Sequence, residues 1–271
     1  MSKSNSCFNA LVARAARTVS TPAGLDGGLQ FMAYTGPVAA QLVLKLAQAR
    51  INHPVLQKLT SDTGRLTELA AGIVRGAGNV SEARVIMRAF GLIPMLDWLL
   101  RLHPNPAKAL ANFFLRPSLA NLDLRNEKVF QTLRVILLSI FYVGEHSVWL
   151  GTRGILNLTP QQLGFMGKLS IRSWAIDVGL SAVKLVGTYR GLVARQAALQ
   201  AQGEKKVDAE EAKKLAAEFA AWKRAAWVNF AWIPLTIHWS IGGLWENPLI
   251  TAAIGSVVSV GKLNTAWASV A

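Results

Sequence analysis

Ala225–Trp245 reads AAWVNFAWIPLTIHWSIGGLW, 21 residues without an Asp, Glu, Lys or Arg. At ~1.5 Å per residue this is a helix of about 32 Å, matching the ~30 Å hydrocarbon core of a bilayer. Lys223 and Arg224 stand immediately before it, Trp222 and Trp227 near one end and Trp245 at the other, where interfacial anchors belong. Pro234 predicts a kink, which a span tolerates when neighbouring groups satisfy the freed backbone. Beyond Glu246, Asn247–Gly261 adds 15 more uncharged residues. The two stretches predict a C-terminal hydrophobic helical hairpin with 225–245 as membrane anchor. A buried hairpin in a soluble protein shares the pattern; six of the nine tryptophans within 222–267 favour lipid.

Outward from this hairpin, almost every segment carries helical periodicity, with no sustained alternation of period two. Prolines punctuate it: Pro22, Pro54, Pro94, Pro104, Pro106, Pro117, Pro160, Pro234 and Pro248. The pattern predicts helices near 8–19, 26–51, 60–77, 81–103, 106–116, 125–151, 160–202, 207–245 and 248–268. A polar break falls at 203–206, and Asp208 with Glu211 resembles a capping box that starts the next helix. The fold class is all-α: a multi-helix, membrane-associated bundle with amphipathic helices. Residues 1–120 form an N-terminal helical region and 121–271 a membrane-embedded one. Within the latter, Val135–Gly144 offers only ten uncharged residues before Glu145. A mid-bilayer carboxylate costs about 2.5–3.5 kcal/mol on insertion scales, so this reads as a bundle helix.

Composition agrees. The chain is 52% hydrophobic and 16% charged, against about 25% charged in an ordinary soluble domain. Lys and Arg number 29 against 15 Asp and Glu, a net charge of +14. That excess is spread thinly along the chain, without a dense basic stripe interleaved with aromatics, so it points to anionic phospholipid and not to nucleic acid. Cys7 stands alone and the four histidines are scattered, which argues against disulfides and metal sites. Nucleophile-elbow, phosphate-loop, dinucleotide and zinc-protease motifs are missing, so neither catalytic residues nor cofactors are expected. Glu145-His146 and Asp177, the last near Arg172 and Lys184, read as polar contacts between helices. The first twenty residues hold Arg14 and Arg17 and lack acid, which suits either a mitochondrial transit peptide or an ordinary first helix.

From Arg65 onward, at ~100° per residue, Leu66, Leu69, Ala70, Ile73, Ala77 and Val80 fall between roughly 40° and 140°. Arg65, Glu68, Gly72, Arg75, Gly76 and Asn79 fall on the opposite side. Past Gly78 the phase changes: Arg84 and Arg88 land on the apolar side, and Ile86, Phe90 and Ile93 begin a new stripe. Two amphipathic helices are therefore expected. The first would insert its apolar face in one leaflet, with Arg65, Arg75, Arg84 and Arg88 at the headgroups. Four large aliphatics at ~1.5–3 kcal/mol each, partly immersed, bind marginally, so an anchor or many copies must assist. Copies could meet through Gly72-x-x-x-Gly76, Gly187-x-x-x-Gly191 or Gly255-x-x-x-Ser259.

In their order, several stretches resemble the peroxin-11 family of peroxisomal membrane-elongation proteins. Gly24 to Tyr34 is similar to its early helix, with Asp26, Leu29 and Tyr34 in place. Ser81-Glu82-Ala83-Arg84 through Arg88 resembles its segment after the amphipathic helix. Phe141-Tyr142-Val143-Gly144-Glu145 through Trp149-Leu150, Ile171-Arg172-Ser173-Trp174 and Gly255–Ser259 with Trp267 are similar to its later helices. The resemblance implies self-association in the peroxisomal (or glycosomal) membrane, leaflet insertion by residues 62–80, elongation, and recruitment of peroxisomal fission machinery. Two other functions remain open. One is a pore for small metabolites lined by Glu145, Asp177 and Arg172, and the other is a mitochondrial membrane-bound subunit.

Overall fold

The computed structural model describes residues 3–52, 63–115, 123–201 and 209–270, and every element among them is helical. In chain order they are α1 (Lys3–Val19), α2 (Pro22–Asn52), α3 (Thr63–Arg88), a 3-10 turn at Ala89–Gly91, α4 (Leu92–Leu102), α5 (Pro106–Leu115), α6 (Glu127–Thr152), α7 (Pro160–Ala201), α8 (Ala209–Ile241) and α9 (Pro248–Ser269). The expected break at 203–206, and Asp208 of the capping box, lie outside the described residues.

The boundaries follow local chemistry. Pro22, Pro106, Pro160 and Pro248 each occupy the first position of a helix, where a missing N–H costs nothing. Asn126 and Asn247 cap α6 and α9, each accepting from a backbone N–H two residues on at 3.0 Å. Helix α8 stops at Gly242 and Gly243, with φ of 89° and 128°, and the Gly243 N–H reaches back to the His238 carbonyl at 2.8 Å. That closure needs a left-handed backbone, which glycine supplies without strain. The span expected to reach Trp245 therefore ends at Ile241.

Two compact units emerge, and they do not follow the order of the chain. The first holds Met1–Arg84, Ser181–Leu235 and Leu244–Ala271; the second holds Val85–Leu180 and Thr236–Gly243. In the first, α9 runs antiparallel to α2, with Gly27 against Leu263 and Gly255 beneath the Tyr34 ring. Gly36 of α2 meets Ala77 and Ile73 of α3. Trp227 of α8 donates from Nε1 to the Val257 carbonyl at 3.0 Å, and Trp222 to the Leu185 carbonyl at 2.9 Å. In the second unit, Gly144 of α6 sits against Ser170 and the Met166 carbonyl of α7. Ser170 donates to the Phe141 carbonyl at 2.8 Å, and Trp174 stacks on Trp239.

In the first unit the small side chains Ala40, Ala47, Ala70, Ala77, Ala252, Gly255 and Ser259 are buried, while across the two units Phe90, Ile93, Phe165, Val183 and Ile241 are exposed. Helices that associate without a hydrophobic drive pack in this way, by close backbone approach. Among the described residues two helices are long and apolar enough to cross a bilayer, α6 and α9, and only 22% and 33% of their apolar windows are buried. The expected anchor, 225–245, is not one of the two. The 225–245 stretch is diluted by Asn229, Pro234, Thr236, His238 and Ser240, whereas α6, read from sequence as a bundle helix, is long enough once its charges are paired.

Candidate membrane-facing surface

Helix α3 is continuous through Gly78 and does not divide into two. The residues that suggested a phase change explain why. Ala70 is 2% exposed, Ala77 7% and Arg84 7%, and their seven-residue spacing keeps all three within roughly 100–140° of one helix face. Arg84 does not break the apolar stripe; it is the last buried member of it.

What buries Arg84 is a polar cluster joining three helices of the first unit. Its Nε donates to Asp26 Oδ1 at 2.9 Å and its Nη2 to Gln30 Oε1 at 3.0 Å. Lys262 of α9 donates from Nζ to Asp26, and to Gln30 Oε1 at 3.0 Å. Gln30 is itself fully buried. Asp26 and Gln30 lie one helical turn apart, so a single face of α2 presents both acceptors to the two cations. Burial alone would raise the Asp26 carboxyl, but Lys262 and Arg84 outweigh it and hold the group at about 2.

In the second unit, Arg88 makes a two-point pair with Glu145, at 2.8 and 2.6 Å. His146, the neighbour of Glu145, bridges the Tyr142 carbonyl at 2.7 Å and the Val85 carbonyl at 3.0 Å through its two ring nitrogens. Arg134 of α6 donates from Nε to Asp177 Oδ1 at 2.7 Å, and its guanidinium lies over the Trp98 and Phe130 rings. Asp177 thus forms an interhelical ion pair with Arg134, a partner that the sequence reading does not name. Each pair neutralises a carboxylate that would otherwise tax α6 or α7 in an apolar medium.

The residues expected to insert are accordingly divided. Ala70 and Ala77 are buried, and α2 packs on Ala77 through Gly36. Ile73 touches the same seam, and Leu66 and Val80 are half-buried. Leu69 is 53% exposed. Of the basic residues expected at headgroups, Arg65 and Arg75 are exposed on the outer face. Arg84 is removed from that role by Asp26, and Arg88 is turned to Glu145. Among the described residues, Gly76, Gly187 and Gly191 have nothing within 4 Å of where a Cβ would stand, and Gly72 has only the Arg75 side chain of its own helix, at 3.9 Å. Gly255 and Ser259 are occupied inside the first unit, so they offer no face to a second copy.

A more continuous apolar surface lies just beyond. Ile86, Phe90, Ile93, Leu96 and Leu100 are all exposed, Phe90 at 70% and Ile93 at 66%. Their spacings of four, three, three and four residues put them on one side of the path from α3 through the 3-10 turn into α4. The sequence showed the first three; the rest was hidden by the general apolarity of α4.

The family model described as Peroxisomal biogenesis factor 11 (PEX11) matches residues 77–267. No curated protein and no solved structure matches the chain. The chain belongs to the PEX11 family, and with it to the factors of peroxisome biogenesis that associate with the peroxisomal membrane. Its two long apolar helices fit that association.

Proposed function

We propose that this PEX11-family chain elongates the peroxisomal membrane, with α6 and α9 as anchors and the stripe from Ile86 to Leu100 lying shallowly in one leaflet. The observation that carries the reading is that stripe: five large apolar side chains on one side of a helical path, uncovered by the protein's own helices. Immersing them contributes several kcal/mol at ~1.5–3 kcal/mol per side chain, which suffices beside an anchor already in the bilayer. On the first unit, exposed Arg75 meets anionic headgroups. Self-association through the open Gly187–Gly191 face multiplies the effect of one wedge, and the elongated membrane would then be handed to fission machinery.

The test is reconstitution of the full-length chain in liposomes containing anionic lipid. Phe90→Glu with Ile93→Glu should abolish tubulation while the protein stays in the membrane after alkaline extraction. Tubulation at the wild-type level would reject the stripe as the wedge. Ala70→Glu should instead lower the yield of folded protein, since that position is buried.

A further inference from the structure

One cavity of the second unit has a chemistry that membrane shaping does not use. It encloses about 360 Å³ and is lined by His103, Lys108, Lys128, Thr132 and the asparagines Asn105, Asn112 and Asn126, with no acidic side chain among its lining residues. The volume is that of a small-molecule site.

Its charge is placed against ordinary preference. Lys108 stands in the first turn of α5 and Lys128 in the first turn of α6. The partial positive end of a helix disfavours a cation there. Asn105 and Asn126 each take one backbone N–H, of Lys108 and Lys128 respectively, at 3.0 Å. Other first-turn donors remain for a ligand. Glu127, the one acid in these first turns, accepts from Gln131 at 2.6 Å and does not line the cavity.

His103 adds a third group. The Thr132 hydroxyl proton is spent on the Lys128 carbonyl at 2.7 Å, so the 2.8 Å contact between Thr132 Oγ1 and His103 Nε2 has the imidazole donating. Nδ1 is then the position that takes up a proton when an anion arrives. Burial, and after it Lys128, hold this imidazole below its ordinary value, as expected where positive charge is already concentrated.

We propose that the cavity binds the phosphomonoester of a membrane-lipid headgroup, held by Lys108, Lys128, His103 and the first-turn amides of α5 and α6. A monoester carries about −1.5 to −2 at neutral pH with three acceptor oxygens, which matches two lysines. A diester headgroup offers less charge and no terminal phosphate. The lipid source rests on the anchoring proposed above: the cavity lies at the N-terminal end of α6, a helix long and apolar enough to cross a bilayer, which would put it at headgroup depth.

The experiment uses the full-length chain in detergent micelles and in phosphatidylcholine vesicles. The vesicles carry either phosphatidylinositol monophosphate or phosphatidylserine, at equal total charge. Preference for the phosphorylated lipid, lost by about tenfold or more in Lys108→Gln with Lys128→Gln, supports the site. Retention of helicity and thermal midpoint by that variant, and of binding by Lys128→Arg, separates ligand loss from misfolding. Equal binding to both lipids, or a preference unchanged in the double variant, overturns the proposal. Soluble inositol monophosphate is the other arm. If it binds in micelles, with the same sensitivity to the lysines, while vesicles show no preference, the phosphomonoester chemistry stands and the lipid source is overturned. Tubulation by the Phe90 and Ile93 stripe is read separately, so either idea can fail alone.

Discussion

At the scale of single residues, the cluster around Asp26 carries the largest predicted effects. One carboxylate serves two cations there, Arg84 and Lys262, and removing it takes that counter-charge from both in a partly buried site. Asp26→Asn should therefore cost about 3 kcal/mol, read as a lowered thermal midpoint of the detergent-solubilised protein, with Asp26→Glu intermediate. The same carboxyl sets an acid limit. Its folded value is about 2, below its ordinary 3.8, so the native state holds the proton less tightly than the unfolded chain. The stabilisation is full above pH 3.8 and disappears as pH falls through 2, an effect on the order of 2 kcal/mol. Thermal midpoints measured across that window should fall for the wild type and lose this component in Asp26→Asn; parallel curves would show that Asp26 does not set the limit. This cluster was not legible in the sequence. Arg84 lies 58 residues from Asp26, and on a helical projection a charged residue counts as polar until its partner is known. The resemblance singled out both residues without pairing them.

At the scale of elements, the fold was far more legible, because helix ends are decided locally. Proline at a first turn and glycine past a last one act within a few residues, and the predicted helices fall close to the observed ones for that reason. The exceptions are long-range. Gly78 looked like a break, yet α3 runs through it, since the tertiary contacts at Ala77 and Arg84 hold both sides of it. Val135–Gly144 looked too short for a span because Glu145 was counted as a bare charge, before Arg88 was known to neutralise it. Glycines separate in the same way. A methyl group on Gly144 would stand 2.7 Å from Ser170 Cβ and 2.9 Å from the Met166 carbonyl. Gly144→Ala should then push α6 from α7 at a cost of about 1–3 kcal/mol. Gly187→Ala meets nothing within 4 Å and should stabilise α7 by ~0.5–1 kcal/mol through helix propensity. Opposite shifts in thermal midpoint would confirm the distinction, and shifts of one sign would refute it.

At the scale of the whole molecule, small side chains line seams of the first unit, and both units leave many large apolar side chains exposed. In water such a surface is an aggregation hazard, since monomeric soluble proteins rarely expose contiguous apolar patches beyond a few hundred Å². Against lipid tails it costs little, and close approach between backbones becomes the available source of helix association. Not every small-residue motif is free for that purpose. Gly255 and Ser259 are spent under Tyr34 and its neighbours, while Val183, Gly187 and Gly191 form a four-residue track along α7 whose glycines meet no other helix. The track is therefore the place where a second copy can approach. Gly187→Leu with Gly191→Leu fills it from positions where a Cβ meets nothing within 4 Å among the described residues, and leucine is the better helix former. The thermal midpoint should hold or rise while the mass measured by light scattering in detergent falls toward that of one chain. An unchanged mass would move self-association to Gly72 and Gly76. The same variant at Gly255 separates the two kinds of seam, because Gly255→Leu drives into the Tyr34 ring and should lower the midpoint whatever the oligomer does.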